Sequence, residues 1–227
     1  MQSENIKQTP YVWFWSKDWN MRKNEIIGEL SLAYPLFVKP ANLGSSVGIS
    51  KAHSKEELEN AVKEASQYDR KIIMEQGIEN PREIEIAILG NQEPRASAPG
   101  EIIPSNEFYD YDAKYVDGKS QAKIPADLKD DQIKHIQQTA IKAYQALNCE
   151  GMARVDFLLS KDGQLYLNEL NTIPGFTSIS MYPKLWEASG LPYKDLLDEL
   201  INLAIQRSEE KKNIKISYQP KNDWYNQ

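Results

Sequence analysis

The chain has 227 residues, 41% of them hydrophobic and 26% charged, with a formal net charge of −6. That is enough chain for one sizeable domain or two small ones, and the composition is that of a globular protein rather than a disordered one. The acidic balance argues against a nucleic-acid-binding surface, the single cysteine (Cys149) excludes an internal disulfide, and His53 and His135 are too far apart to suggest a zinc site.

The N-terminal stretch MQSENIKQTP is polar, and no apolar run approaches the ~18 residues of a membrane span. A cytoplasmic protein with no membrane partner is expected. Residues 11–15, YVWFW, are β-prone, and residues 22–32 have helical spacing at Ile26, Ile27 and Leu30. A short apolar strand, 35–39, ends in Lys39 and runs into PANLGSSVG, after which 49–51 resumes a strand. Gly44, Ser45, Ser46 and Gly48 make a flexible loop whose backbone N–H groups can approach phosphate oxygens. It is not a P-loop, because no Lys-Ser or Lys-Thr follows the second glycine. An ordinary hairpin turn is the alternative, and Lys39 just before the loop favours phosphate.

Ser54-Lys55-Glu56-Glu57 has the capping-box pattern and opens a helix with Leu58, Ala61, Val62 and Ala65 on one face. Strand 71–75 follows and is broken by 76–81. In 83–89, Glu83, Glu85 and Ala87 alternate with Ile84, Ile86 and Ile88, which predicts one polar and one buried face. A further strand is expected over 95–103. The tyrosine- and aspartate-rich segment 108–116 reads either as a lid or as a surface loop whose tyrosines pack on the core. Residues 130–147 form an amphipathic helix; another runs over about 193–206, and a polar tail begins at 209.

Between these two helices lies a predicted hairpin: strand 152–159, turn 160–163 and strand 164–171. Side chains alternate across a strand, so Arg154 and Asp156 share a face, as do Glu169 and Asn171. A two-residue loop pairs Asp156 with Glu169, and a four-residue loop pairs it with Leu167; both put all four polar groups on one side. A three-residue loop does not. Facing carboxylates repel by about 4 kcal/mol at roughly 4 Å and an effective dielectric near 20. A hard divalent cation would offset this, with the Asn171 amide oxygen as a further ligand. The alternative is a salt-bridge face of Arg154, Asp156 and Glu169. Beyond the hairpin, Thr172-Ile173-Pro174-Gly175 turns the chain, and Thr177, Ser178 and Ser180 gather at an expected helix start that would suit an anion. Metal ligands beside an anion pocket suggest chemistry on phosphates.

Four segments in this order, FVKPANLGSSVGISK, FYDYDAKY, GMARVDFLL and NELNTIPGFTSISMYP, resemble the ATP-grasp enzymes and specifically the D-alanine–D-alanine ligase family, over roughly residues 9–207. The resemblance implies an α+β fold, ATP-grasp in type, with two α+β domains (1–75 and 76–208) sandwiching the nucleotide and 209–227 as a tail. It implies that Lys39, the loop with Gly44 and Ser46, and the lid lysine Lys114 contact the ATP phosphates. Glu75, Gln76, Gly77 and Ile78 would line the adenine pocket, and Glu83 would hold the ribose. Asp156, Glu169 and Asn171 would bind two Mg²⁺ ions, with Mn²⁺ as a substitute. Ser45 and Tyr115 would orient the first substrate, Arg154 and the Gly175 N–H would stabilise an oxyanion, and Ser180 with Met181 would receive the second substrate's carboxylate.

The implied reaction joins two D-alanines through an acylphosphate, for peptidoglycan precursors, and a homodimer is a possible assembly. Alternatives are a D-Ala–D-Lac or D-Ala–D-Ser ligase, or a nucleotide-binding remnant without turnover; Tyr115 in its segment favours D-alanine over lactate as the second substrate. Whole members of the family carry a further N-terminal domain with a nucleotide-contacting lysine and an acidic residue for the first D-alanine's ammonium. Neither is found in the ten residues before Tyr11, so the expectation is nucleotide binding without efficient turnover.

Overall fold

The computed structural model describes residues 1–29, 33–103, 121–177, 179–215 and 217. Two antiparallel sheets organise them. The first consists of β1 (Tyr11–Trp15), β2 (Leu36–Pro40), β3 (Ser50–Ala52) and β4 (Lys71–Gln76), in the order β1-β4-β2-β3. Alternation sends Phe14, Leu36, Val38, Ala52, Ile72 and Met74 to one side, where they pack against two helices. These are α1 (Trp19–Glu29), through Trp19 and Ile26, and α2 (Lys55–Ala65), through Leu58, Ala61, Val62 and Ala65. The predicted cap of α2 forms: Ser54 Oγ accepts from the Glu57 N–H at 3.2 Å, while the Glu57 carboxylate accepts from the His53 N–H at 2.7 Å. Helix α1 begins three residues earlier than its spacing suggests, because a 3₁₀ turn over Ser16–Asp18 feeds straight into it.

The second sheet contains β5 (Arg82–Gly90), β6 (Arg95–Ala96), β7 (Gly100–Ile103), β8 (Gln121–Lys123), β9 (Gly151–Leu159) and β10 (Leu165–Asn171). Its order is β10-β9-β5-β7-β8, with β6 paired to β5. The expected single strand over 95–103 is thus two short ones. Pro99 has no N–H to give to a ladder, and Ser97 Oγ accepts from the Ala87 N–H and donates to the Ala98 carbonyl instead.

One face of this sheet, with Ile84, Ile86, Ile88, Val155 and Phe157, packs on α3 (Asp130–Ala146) through Ile136, Ala140 and Tyr144. The Tyr144 hydroxyl donates to the Gly90 carbonyl at 2.8 Å, and burial pushes its pKa up. Ile6, near the N-terminus, completes this core, and the Leu167 N–H donates to the Lys7 carbonyl. Among the described residues, helices cover one end of the opposite face. There Ala87, Leu89 and Ile102 lie under α4 (Met181–Ala188) and α5 (Tyr193–Lys212). Helix α5 continues to Lys212, so the first residues of the expected tail are helical. The polar side of β5 is therefore not uniformly open: Ala87 is fully buried and Glu85 is 8% exposed.

Candidate functional site

Away from α4 and α5, the same face of the second sheet carries a row of acids. Asp156 on β9 stands opposite Glu85 on β5 and opposite Glu169 on β10. In the next row Arg154 stands between Ala87 and Asn171. This register has an unexpected origin. The β9–β10 turn is the three-residue kind, with the Gly163 N–H donating to the Ser160 carbonyl and Gly163 at φ 81°. Leu159 then pairs with Leu165, and Phe157 with Leu167. Continued without interruption, that ladder would turn Glu169 and Asn171 into the core. Instead the register shifts between Leu167 and Glu169, and Asn168 is the extra, exposed residue of a bulge. Leu170 then packs on the core while Glu169 and Asn171 join Asp156 and Arg154.

Arg154 binds Asp156 through two hydrogen bonds, Nε to Oδ1 at 2.7 Å and Nη2 to Oδ2 at 2.6 Å. Glu85 Oε2 lies 3.1 Å from the same Nε, and Glu169 Oε1 is 4.0 Å from Nη2. Burial pulls the guanidinium's pKa down, but the charge and hydrogen bonds of Asp156, then the charges of Glu85 and Glu169, outweigh it and raise it. Asn171 Nδ2 donates to Glu169 Oε1 at 3.1 Å. The salt-bridge face weighed from the sequence is therefore present.

The donor set also fits a hard cation. Asp156, Glu169 and Asn171 offer oxygen only, on one face and in adjacent rows. A carboxylate has about four lone-pair sites, of which Arg154 engages two on Asp156. Glu169 is half exposed, at 52%. Among the described residues no group of three or more His, Cys, Asp or Glu is arranged to hold an ion by itself. Two carboxylates and an amide, with Arg154 among them, is what the fold provides.

On the first sheet, Lys39 Nζ donates to Glu75 Oε1 at 2.6 Å, both side chains being about one-fifth exposed. They share the face opposite the helices, since Lys39 pairs with Ile73 and Phe37 with Glu75. The chain leaving Lys39 is tied down by Asp69, which accepts from both the backbone N–H and the side-chain amide of Asn42 at 2.8 Å. Beyond it Ser45 and Ser46 both adopt left-handed conformations, φ 58° and 59°, costly for residues with a Cβ. Gly48, at φ 72°, lies so close to Tyr68 that an added Cβ would sit 2.6 Å from its ring. Gly44 is exposed. Downstream, the Gly77 N–H donates to the Pro35 carbonyl at 2.8 Å, so Glu75, Gln76, Gly77 and Ile78 follow the end of β4 outward, while Glu83 lies on β5 opposite Ile102.

A third group closes on Ser180, the residue before α4. Its hydroxyl accepts from the Thr177 N–H at 2.9 Å, lies 2.9 Å from Thr177 Oγ1, and would be 2.9 Å from any Cβ added at Gly175. Only glycine fits there without displacing Ser180. The Met181 side chain is buried in the apolar cluster under α4, so what it presents outward is its backbone N–H at the helix start.

Lys114, Tyr115 and the rest of segment 108–116 lie outside the described residues, as does Ser178. Glu85 was missed as a site residue: in the sequence it is one of several alternating polar positions, and no local signal marks its burial. A cleft of about 600 Å³ opens elsewhere, beside β1, lined by Tyr11, Trp13, Trp15, Asp18 and Arg22 among others; none of the predicted site residues lines it.

The family described as D-ala D-ala ligase C-terminus matches residues 1–202. The chain is 55% identical over 207 residues to a D-alanine–D-alanine ligase of Clostridium acetobutylicum, covering 90% of this chain and 60% of that protein. It is 63% identical over 182 residues to that of Thermoanaerobacter pseudethanolicus, covering 79% of this chain and 50% of the relative. Among solved structures, the D-alanine-D-alanine ligase from Coxiella burnetii superposes with a TM-score of 0.77 at 39% identity, over 93% of this chain and 56% of that one. The VanG D-Ala:D-Ser ligase from Enterococcus faecalis superposes with a TM-score of 0.80 at 38% identity, over 89% of this chain and 58% of that one. The chain thus spans between half and two-thirds of the length of these relatives. Its sequence and its two sheets together make it a member of the D-ala D-ala ligase C-terminus family, with the ATP-grasp fold.

Proposed function

We propose that these residues form the nucleotide- and carboxylate-handling part of an ATP-dependent, ADP-forming ligase that joins two D-alanines for peptidoglycan precursors. The observation that carries the reading is the pairing of Asp156 with Glu169 on one face, with Arg154 and Asn171 in the next row. In this assignment Lys39 and the Gly44–Ser46 backbone hold the ATP phosphates, Glu75 to Ile78 border the adenine, and Glu83 receives the ribose. Asp156, Glu169 and Asn171 hold Mg²⁺, two ions in the full reading, which when bound offsets the charge of the phosphates.

The first D-alanine carboxylate attacks the γ-phosphorus, ADP leaves, and an acylphosphate forms. The amine of the second D-alanine then attacks the acyl carbon and phosphate departs with its bonding pair. Arg154 and the Gly175 N–H are donors for the oxyanion that develops on that carbon. Ser180 and the Met181 N–H, at the start of α4, receive the second substrate's carboxylate. Both reacting partners of the first step are anions, so positioning and positive charge supply most of the rate.

The test has two parts: calorimetric titration with a non-hydrolysable ATP analogue with and without Mg²⁺, and phosphate release with ATP and D-alanine. Mg²⁺-dependent nucleotide binding is expected; its absence overturns the reading. The likeness to a D-Ala:D-Ser ligase supports D-serine as the second substrate in an alternative reading. Release rates with D-alanine, D-serine and D-lactate as second substrate separate the three.

A further inference from the structure

The corner between α2 and β4, residues 66–70, holds the glycine-serine loop at both ends. At the start, Asp69 Oδ2 accepts from the Asn42 N–H and from its side-chain Nδ2, both at 2.8 Å, while Asp69 Oδ1 accepts from the Lys71 N–H at 3.1 Å. At the end, Gly48 is wedged between the Tyr68 ring and Pro40: an added Cβ would lie 2.6 Å from Tyr68 Cδ2 and 3.0 Å from Pro40 Cγ. The corner is itself tied to the helix, since the Tyr68 and Asp69 N–H groups both donate to the Ala65 carbonyl, at 3.1 and 3.2 Å. Between the anchors the chain makes two successive turns. The Val47 N–H donates to the Gly44 carbonyl and the Ile49 N–H to the Ser46 carbonyl, each at 3.3 Å. Ser45 and Ser46 form the centre of the first turn, at φ 58° and 59°, a conformation that residues with a Cβ keep only where their surroundings over-determine it.

We propose that Tyr68 and Asp69 are positioning residues for the phosphate loop: acting through Gly48 and Asn42, they clamp its two ends and so hold the turn over residues 44–47 ready for the phosphates. Backbone N–H groups meet an anion together only while the turn keeps its shape. Released at either end, Ser45 and Ser46 relax towards negative φ, and the loop is competent for a fraction of the time. Apparent affinity for the phosphates then falls by that fraction, about tenfold if a tenth of the population stays competent. Tyr68 is 45% exposed and lies outside the apolar cluster that α2 packs into, so truncating it tests the loop rather than the core.

The inference rests on the nucleotide reading above, and two ligands separate the failure of each. A non-hydrolysable ATP analogue with Mg²⁺ engages the loop, whereas adenosine engages only the pocket assigned to residues 75–78 and Glu83. Calorimetry for the analogue and ligand-observed NMR for adenosine compare the wild type with Tyr68→Ala, Tyr68→Phe, Asp69→Ala and Asp69→Asn. Each alanine variant should lose about tenfold or more in analogue affinity, with adenosine affinity unchanged. Tyr68→Phe keeps the ring and should bind as the wild type does. Asp69→Asn keeps one acceptor oxygen and should lose only a fewfold, a graded rescue that a purely structural role would not produce. If Asp69→Ala does not fold, Asp69→Asn decides for that end of the loop. Analogue affinity as in the wild type in either alanine variant overturns the role of that residue, and equal losses for both ligands overturn both roles; the nucleotide site then still stands. A wild type with no Mg²⁺-dependent binding overturns the site and the inference with it.

Discussion

Asp156 faces Glu169 because Asn168 bulges out of β10. The three-residue turn sets a register in which Asp156 would meet Asn168, and the bulge moves it by one residue. Since the period of a strand is two, that single residue decides whether Glu169 and Asn171 point to the site or into the core. Deleting Asn168 should therefore be tolerated: Glu169 would follow Leu167 in a straight ladder and still face Asp156. Inserting one alanine after Asn168 should be worse: with the bulge kept Glu169 turns to the core, and with the bulge dropped Glu169 pairs with Arg154 instead of Asp156 and Asn171 moves a row further on. We expect Mg²⁺-dependent nucleotide affinity to survive the deletion and to be lost in the insertion, as measured by calorimetry. The opposite order would refute this account of the register.

The same pair predicts unequal stabilities. Repulsion alone would make neutralising either carboxylate harmless, but Arg154 reverses the sign at Asp156. Asp156→Asn removes the bidentate partner of an enclosed guanidinium and should cost about 2 kcal/mol, below the 3–5 typical of a fully buried pair because Glu85 remains beside it. Glu169→Gln touches a half-exposed group 4.0 Å from Arg154 and should cost less than about 1 kcal/mol. Both should abolish Mg²⁺-dependent binding. Urea unfolding without metal measures the first claim, and equal midpoints for the two variants would contradict it.

Lys39 and Glu75 form a pair whose two members should separate by function. Lys39→Met leaves Glu75 without its 2.6 Å partner and should cost about 1–2 kcal/mol, along with a ten- to hundredfold loss of nucleotide affinity. Adding Glu75→Gln should recover most of the stability, because no lone charge is left enclosed, yet none of the affinity. A double-mutant cycle read by unfolding and by nucleotide titration checks both. Affinity recovering together with stability would show that Lys39 acts only on the fold.

The base of the glycine-serine loop should be acid-sensitive. The Lys71 N–H, followed against some desolvation by the side-chain amide and N–H of Asn42, holds the Asp69 carboxyl below its usual range. A depressed pKa in the folded state contributes stability above the ordinary carboxylate pKa of about 3.9, and that contribution is lost as the pH falls through the lower folded value. Asp69→Asn should thus be less stable than the wild type at pH 5, and the gap should close on acidification. A gap that stays constant from pH 5 down to about pH 2.5 would exclude Asp69 as the titrating anchor.

Much of this protein is legible residue by residue. The alternation in 152–159 and the Ser54–Glu57 cap are local patterns, and each forms where its period places it, whereas the polar side of 83–89 is largely buried, and Leu147, at inward spacing on the helix over 130–147, is exposed beyond its end. The candidate residues Lys39, Asp156, Glu169 and Asn171 were likewise visible as polar groups at particular strand positions. Register was not, because it depends on the turn and on a bulge, and sequence alternation reads the same before and after a one-residue slip until a partner strand is chosen. Nor was the weight of Glu85. On its own strand it resembles Glu83; its enclosure, and the approach of Arg154 from β9, exist in the folded protein alone. Periodicity belongs to the chain, whereas enclosure and pairing belong to elements far apart in sequence. Tertiary structure decided those because the cost of burying a charge is set by whatever comes to surround it.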